Sequence, residues 1–259
     1  MAQLLTASEL PAWFSYPLDF LRLCAQGTVD FDPWIILQGD RLKARYEGVK
    51  TRYPGRALLP FARREDNDDI ACWERDQGER VIIIHDFASD GYENVTVFDT
   101  FADWLREVID AAGDYQGALF FTDSLPPATE NDIARLAALT SVPLPASMIA
   151  LYQTFNGGQP LPSYVHDEAY IYPINAFFTV DEMCDCFHQF DEEGLPEGFK
   201  KGELLPFAYD PGSGIYAVSL RENDPGQVYF YILHEQAEIF GIWPDFAAFL
   251  ASFTRYTRD

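Results

Sequence analysis

Cationic side chains are scarce in this 259-residue chain: 18 Lys and Arg stand against 41 Asp and Glu, a formal charge of −23 at pH 7. The shortage is general, since residues 1–116 carry 21 acidic and 12 basic side chains and residues 117–259 carry 20 and 6. Such a surface repels nucleic acid and anionic membranes, and no basic run is present to bind phosphate. Direct nucleic-acid binding and membrane attachment are therefore not expected, whereas a basic protein would be steered in. Cysteine is sparse too. Cys24, Cys72, Cys184 and Cys186 are unevenly spread, which argues against a disulfide framework and for reduced thiols. No apolar run approaches the roughly 18 residues of a membrane span. The opening Met1-Ala2-Gln3-Leu4-Leu5-Thr6 has no basic n-region or long apolar core, so the expectation is no secretory signal and a cytoplasmic protein. Phosphate loops, dinucleotide fingerprints and Gly-x-Ser-x-Gly elbows are missing as well.

What the chain does have is apolar and aromatic material, at 48% and 15% of residues, which excludes general disorder. It also repeats itself. Leu58-Leu59-Pro60-Phe61-Ala62 returns 146 residues later as Leu204-Leu205-Pro206-Phe207-Ala208. A turn and a short β-rich run follow each copy, Ile70-Ala71-Cys72-Trp73 in one and Ile215-Tyr216-Ala217-Val218 in the other. An aromatic helix then closes each unit, Phe61 to Phe101 spanning 40 positions and Phe207 to Phe246 spanning 39. This spacing predicts a duplicated domain, the first copy over 1–113 and the second over 118–259, joined by a short boundary at Ala112 to Gly117.

The second copy reads more fully. Thr129 as N-cap with Asp132 three residues on predicts a capped helix. Pro145 suits the start of the next, and Asn156-Gly157-Gly158 its stop. A loop over 156–168 is expected, then a strand near 169–174 and a helix over 180–190. Strands over 204–208, 215–220 and 228–233 precede a final helix over 244–255, with Phe246, Phe249, Leu250 and Phe253 on one face. The first copy predicts a helix over 18–25, strands over 57–62, 69–74, 80–85 and 94–98, and a helix over 99–111. Grouped strands and flanking helices make each unit α+β, a twisted antiparallel sheet packed with helices.

Chemistry is harder to find. Glu65-Asp66-Asn67-Asp68-Asp69 fails as a calcium loop: counted from Asp66, the fifth and sixth places are Ile70 and Ala71, and no Glu stands at the twelfth. As a catalytic carboxylate pair it lacks a His or Lys at recognisable spacing, and a solvated turn does not raise a carboxyl pKa. Cys184-x-Cys186-x-His188 lacks a fourth ligand, and a helix there would splay the two cysteines. His85 beside Asp86 fits a structural hydrogen bond better than general-base work. No catalytic residue, metal ligand or cofactor is assigned.

The second copy resembles the SUKH superfamily, which includes the fungal Smi/Knr regulators and bacterial immunity proteins. The resemblance is carried by Glu130-x-Asp132-Ile133-x-x-Leu136, Val142-Pro143-Leu144-Pro145, Leu151-Tyr152, Asn156-Gly157-Gly158, Leu205-Pro206-Phe207, Val228-Tyr229-Phe230 and Phe246-x-x-Phe249-Leu250. The first copy is similar from Leu58 onward. The resemblance implies two tandem SUKH-like domains and no enzyme activity. Its bacterial members are mostly immunity proteins that block nuclease or deaminase toxins, so a basic toxin domain is the implied partner. A regulatory scaffold of the Smi/Knr type is the alternative. The expected contact is Glu65, Asp66, Asp68 and Asp69, because the two copies share a frame but differ at this turn, and a hairpin tip can vary without disturbing its sheet.

Overall fold

The computed structural model describes residues 3–27, 29–89, 91, 93–112, 119–189, 194–233 and 237–254. The chain divides into two compact units, Met1–Ala118 and Leu119–Asp259. The stretch read as their boundary lies outside the described residues from position 113 to 117. Every strand pair is antiparallel and the strands are grouped, so the class is α+β.

The first unit begins with α1 (Leu18–Gln26), which buries Phe20, Leu23 and Cys24 and ends at Gly27 in the left-handed region, φ 82°. Next come β1 (Asp30–Phe31), β2 (Trp34–Ile36) and α2 (Gly39–Arg52). Then follow β3 (Leu58–Arg64), β4 (Asp69–Glu74), β5 (Val81–His85), β6 (Asn94–Phe98) and α3 (Phe101–Ala111). The six strands form one sheet in sequence order. Both faces of its centre are covered, which is why these strands read as continuous apolar runs. On one face Leu58, Ile70, Cys72, Ile82 and Ile84 cluster with Val49 and Tyr53. On the other, Trp73 stacks on Phe61 at 4.1 Å and meets Phe20 of α1 at 5.1 Å.

The Leu-Leu-Pro-Phe-Ala segment encodes a β-bulge. Pro60 pairs with Cys72 and Ala62 with Ala71, leaving Phe61 as the extra residue. Proline cannot donate to the ladder, and a strand tolerates it beside such an irregularity. The bulge aims the Phe61 ring at Trp73 and at Trp104 of α3, 4.9 Å away, and its carbonyl accepts the Leu37 N–H at 2.7 Å.

The second unit runs β7 (Phe120–Thr122), α4 (Glu130–Ala137), α5 (Ala146–Tyr152), β8 (Gln159–Leu161), β9 (Tyr164–His166), β10 (Ile171–Pro173), β11 (Ala176–Phe177) and α6 (Val180–Gln189). It continues with β12 (Leu204–Tyr209), β13 (Gly214–Ser219), β14 (Val228–Ile232), β15 (Glu238–Trp243), α7 (Phe246–Ala251) and β16 (Phe253–Thr254). The Thr129–Asp132 capping box is present at α4. Strands β11 to β15 form a five-stranded sheet in sequence order. Here Pro206 pairs with Ala217 and Ala208 with Tyr216, so Phe207 is the extra residue. Its ring meets Phe246 and Phe249 of α7 at 5.0 and 5.2 Å, and its carbonyl accepts the Phe178 N–H at 2.8 Å. Strand order, bulge, carbonyl partner and closing helix therefore recur in the two units.

Several elements differ from expectation. The stretch 156–168 is not a loop: β8 pairs with β7, and β9 lies between β10 and β16. The last helix covers only Phe246–Ala251. Ahead of it, β15 completes the sheet against β14, in a stretch to which the sequence pattern assigns no strand. Its half-exposed pattern carries little periodic signal. Helix α2 had no counterpart in the sequence reading.

Asn156-Gly157-Gly158 does more than stop a helix, since α5 already ends at Tyr152. Asn156 Oδ1 accepts the Val180 N–H at 2.9 Å and so caps α6. Gly158 exchanges two backbone hydrogen bonds with Phe177, at 3.1 and 2.8 Å. A Cβ on Gly158, at φ 108°, would sit 2.5 Å from the Thr122 carbonyl oxygen. Gly198 also has a positive φ, 86°, but a Cβ there would meet open space. Gly158→Ala is expected to cost about 3 kcal/mol and Gly198→Ala about 1 kcal/mol, read from urea midpoints. Equal losses would show that backbone conformation alone, and not the close approach, constrains Gly158.

The turn between β13 and β14 is held by Asp224. Its carboxylate accepts from Ser219 Oγ at 2.6 Å, Arg221 Nε at 3.0 Å and the Tyr229 hydroxyl at 2.7 Å. Desolvation pushes this carboxyl up, but the hydrogen bonds from Arg221, Ser219 and Tyr229 outweigh it and hold the group at about 2, against an ordinary 3.8. Its contribution to stability is complete above the ordinary value and is lost as pH falls through 3.8 towards 2. Asp224→Asn is expected to flatten that part of the acid limb in chemical denaturation followed across the acid range. An unchanged limb would show that other carboxylates set it.

Candidate functional site

The acidic segment joins β3 to β4, and the fold treats its four carboxylates differently. Glu65 and Asp66 are exposed yet each meets an arginine from the end of β3. Arg63 reaches Glu65 at 3.0 Å, and Arg64 grips Asp66 through two bonds of 2.8 and 2.7 Å. The hydrogen bond from Arg64, opposed by slight desolvation, lowers the Asp66 pKa below the ordinary carboxylate range. Asp68 is exposed, and no side-chain partner contacts it among the described residues. Asp69 is buried, which corrects its placement on the tip. As the first residue of β4 it points inward, where Asn67 Nδ2 donates at 3.1 Å and His85 Nδ1 lies 2.8 Å away. The exposed acidic surface of this turn is thus Glu65, Asp66 and Asp68.

His85, the last residue of β5, makes its contact with Asp69 rather than with its neighbour Asp86. Asp86 instead turns inward and is fully buried. It accepts from Arg45 at 2.6 Å, from Arg52 at 2.7 and 2.5 Å, and from the Phe87 N–H at 3.2 Å. A buried carboxylate needs this many donors to offset its lost hydration. Both arginines come from α2, so the cluster ties that helix to the end of β5. The signal was present in the sequence: Arg41, Arg45 and Arg52 stand at i, i+4 and i+11, one face of a helix.

The two sides of this cluster are unequal. Arg45 and Arg52 keep 23% and 27% of their side-chain surface, while Asp86 keeps none. Removing both arginines (Arg45→Ala with Arg52→Ala) strands a buried charge and is expected to cost about 3–5 kcal/mol. Asp86→Asn leaves two arginines that water still reaches, and about 2 kcal/mol is expected. Denaturant unfolding of the variants checks the order, and a larger loss from Asp86→Asn would reverse it.

Cys184 and Cys186 lie on α6 with His188, the two cysteines about 200° apart around the helix. Desolvation raises both thiol pKa values, favouring the protonated form that does not bind metals. Among the described residues no group of three or more His, Cys, Asp or Glu is placed to hold a metal ion. No helix among them is long and apolar enough to cross a membrane.

Part of the exposed apolar surface lies on an edge strand of each of the two larger sheets. Val95 and Val97 of β6 are exposed, as are Phe240 and Ile242 of β15. In each pair the residues are two apart and so share a face. Neither pair was singled out from the sequence, where short alternating segments look like ordinary strands.

Residues 127–252 match the model of the SMI1 / KNR4 family (SUKH-1). The matched stretch runs from just ahead of α4 to the end of α7, and includes the Asn-Gly-Gly crossing point and the bulged strand. No curated protein matches the chain. Domains of the SUKH family are generally non-enzymatic binding domains whose partners are proteins.

Proposed function

Because residues 127–252 match the SUKH-1 family model, we propose that this chain is an immunity protein: a non-catalytic acidic binder that neutralises a basic toxin domain by stoichiometric association in the bacterial cytoplasm. The observation that carries the reading is the family match itself, seated in the half of the chain with 20 acidic and only 6 basic side chains. Acidic side chains compete for the cations with which a nuclease or deaminase holds its substrate, and exposed apolar residues such as Phe240 and Ile242 supply the desolvated centre of a contact. We further propose that residues 1–113 are a diverged SUKH copy and residues 118–259 the more typical one. The recurring strand order and bulge support this, and superposing residues 58–111 on 204–254 tests it.

Co-purification with the product of an adjacent toxin gene, together with growth protection against that toxin, tests the immunity role. Complete protection at equimolar expression is expected. Failure against every adjacent toxin would return the chain to the regulatory-scaffold reading, in which the partners are endogenous proteins.

The proposed contact on the first unit is the exposed acidic turn, Glu65, Asp66 and Asp68, with Asp69 acting through the turn's geometry. Rim charges set association rate and its salt dependence more than final affinity. Asp66→Lys with Asp68→Lys, leaving buried Asp69 intact, is expected to slow association about tenfold at low salt and to weaken its salt response. Stopped-flow mixing with the toxin domain reads this directly. An unchanged rate would place the contact elsewhere.

A further inference from the structure

The first unit contains a feature at odds with a chain of charge −23: a cavity of about 340 Å³ lined by Leu37, Arg41, Ala44, Arg45, Arg52, Arg63 and Phe87. Four of the 18 basic residues converge there. The linear sequence has no basic run, yet the fold brings four arginines together here. Three of the arginines come from one face of α2, and Arg63 comes from the neighbouring strand β3.

The positive charge is only partly cancelled. Asp86 lies beneath Arg45 and Arg52 and fixes their guanidinium groups. One carboxylate serves two arginines, so one positive charge is left over. Arg63 shares its charge with the exposed Glu65, and Arg41 is exposed with no acidic partner among the described residues. Beside these cations stands Phe87, 62% exposed. Its φ is 69°, a conformation that costs a non-glycine residue energy and that surrounding contacts must enforce. Asp86 enforces it through the Phe87 N–H, and the Arg52 guanidinium covers the ring at 4.3 Å from its centre. A buried carboxylate, two fixed arginines and a strained, largely exposed aromatic ring make a pre-organised wall.

The second unit shows what a closed version looks like. Leu37 and Phe178 hold the same place, each donating its N–H to the carbonyl of a bulged Phe, and Arg63 corresponds to Tyr209 at the 146-residue offset. Phe178 and Tyr209 stack on one another, with ring centres 5.2 Å apart. An aromatic pair occupies in the second unit the place that is open and cationic in the first.

We propose that this cavity is a binding site for a small organic anion, a phosphate or carboxylate group borne on a flat apolar body. Arg41 and Arg63 would take the anionic group, for which guanidinium forks are suited. Phe87, Leu37 and Ala44 would take the apolar body, and the volume suits a ligand of modest size. The site borders the acidic turn, since Arg63 also pairs with Glu65, but it does not depend on the immunity reading.

The test uses the full chain, with phenyl phosphate, benzoate and inorganic phosphate as probes in titration calorimetry at low salt. Phenyl phosphate or benzoate is expected to bind about tenfold more tightly than inorganic phosphate, and the stronger of the two identifies the anionic group. Arg41→Gln and Arg63→Gln, which leave the Asp86 cluster whole, should each weaken binding about tenfold. Phe87→Ala should weaken the aromatic probes and leave inorganic phosphate unchanged. Absence of binding by all three probes at about 10 mM would overturn the proposal. So would affinity that survives the Arg41→Gln and Arg63→Gln double variant, or a response only to a polyanion such as heparin.

Discussion

A single bulged phenylalanine organises each of the two larger sheets. Inserting Phe61 into β3, and Phe207 into β12, leaves one residue without a partner on the facing strand and turns its carbonyl out of the ladder. The N–H of Leu37 or Phe178 takes that carbonyl, which fixes the strand entering the sheet. The ring goes the other way, into the closing helix, where Trp104 or Phe249 meets it near 5 Å. Sheet edge, bulge and helix are thereby locked together by one side chain and one backbone group. Aromatic contacts of this kind add about 0.5–1.5 kcal/mol each beyond the burial of area, so the cluster around each bulge weighs heavily against a net stability of some 5–15 kcal/mol.

That constraint explains which parts of the fold were legible from the amino acids. The repeated Leu-Leu-Pro-Phe-Ala segment, its following strands and the closing helices were visible because burial on both faces writes long apolar runs. The Thr129 capping box was visible because capping is local. Elements whose partners lie far away were not. Strands β8 and β9 take their order from β7 and β16, and β15 has an exposed edge that no periodic pattern announces. Helix α2 buries only Leu42 and Val49, and its organising contact is an ion cluster rather than an apolar stripe.

The candidate surfaces divide in the same way. The acidic turn was found by composition, yet composition could not tell exposed Asp68 from buried Asp69, because β4 begins between them. Asp86 looked like a companion of His85, and the sequence gives no sign that its side chain faces α2 instead. The arginine face of that helix was written in the spacing, but it acquires meaning only once Arg63 and Phe87 are brought beside it.

The uncovered edge strands have a consequence for the molecule in a crowded solution. β6 and β15 each stand at the end of a sheet, with Val95 and Val97, or Phe240 and Ile242, turned outward. An open strand edge bearing apolar side chains invites a second copy to extend the sheet, the first step towards aggregation. No proline guards either strand. Long-range repulsion between two bodies that each carry −23 opposes that pairing. The acidity that the composition records therefore also acts as a colloidal safeguard, opposing edge-to-edge association between copies.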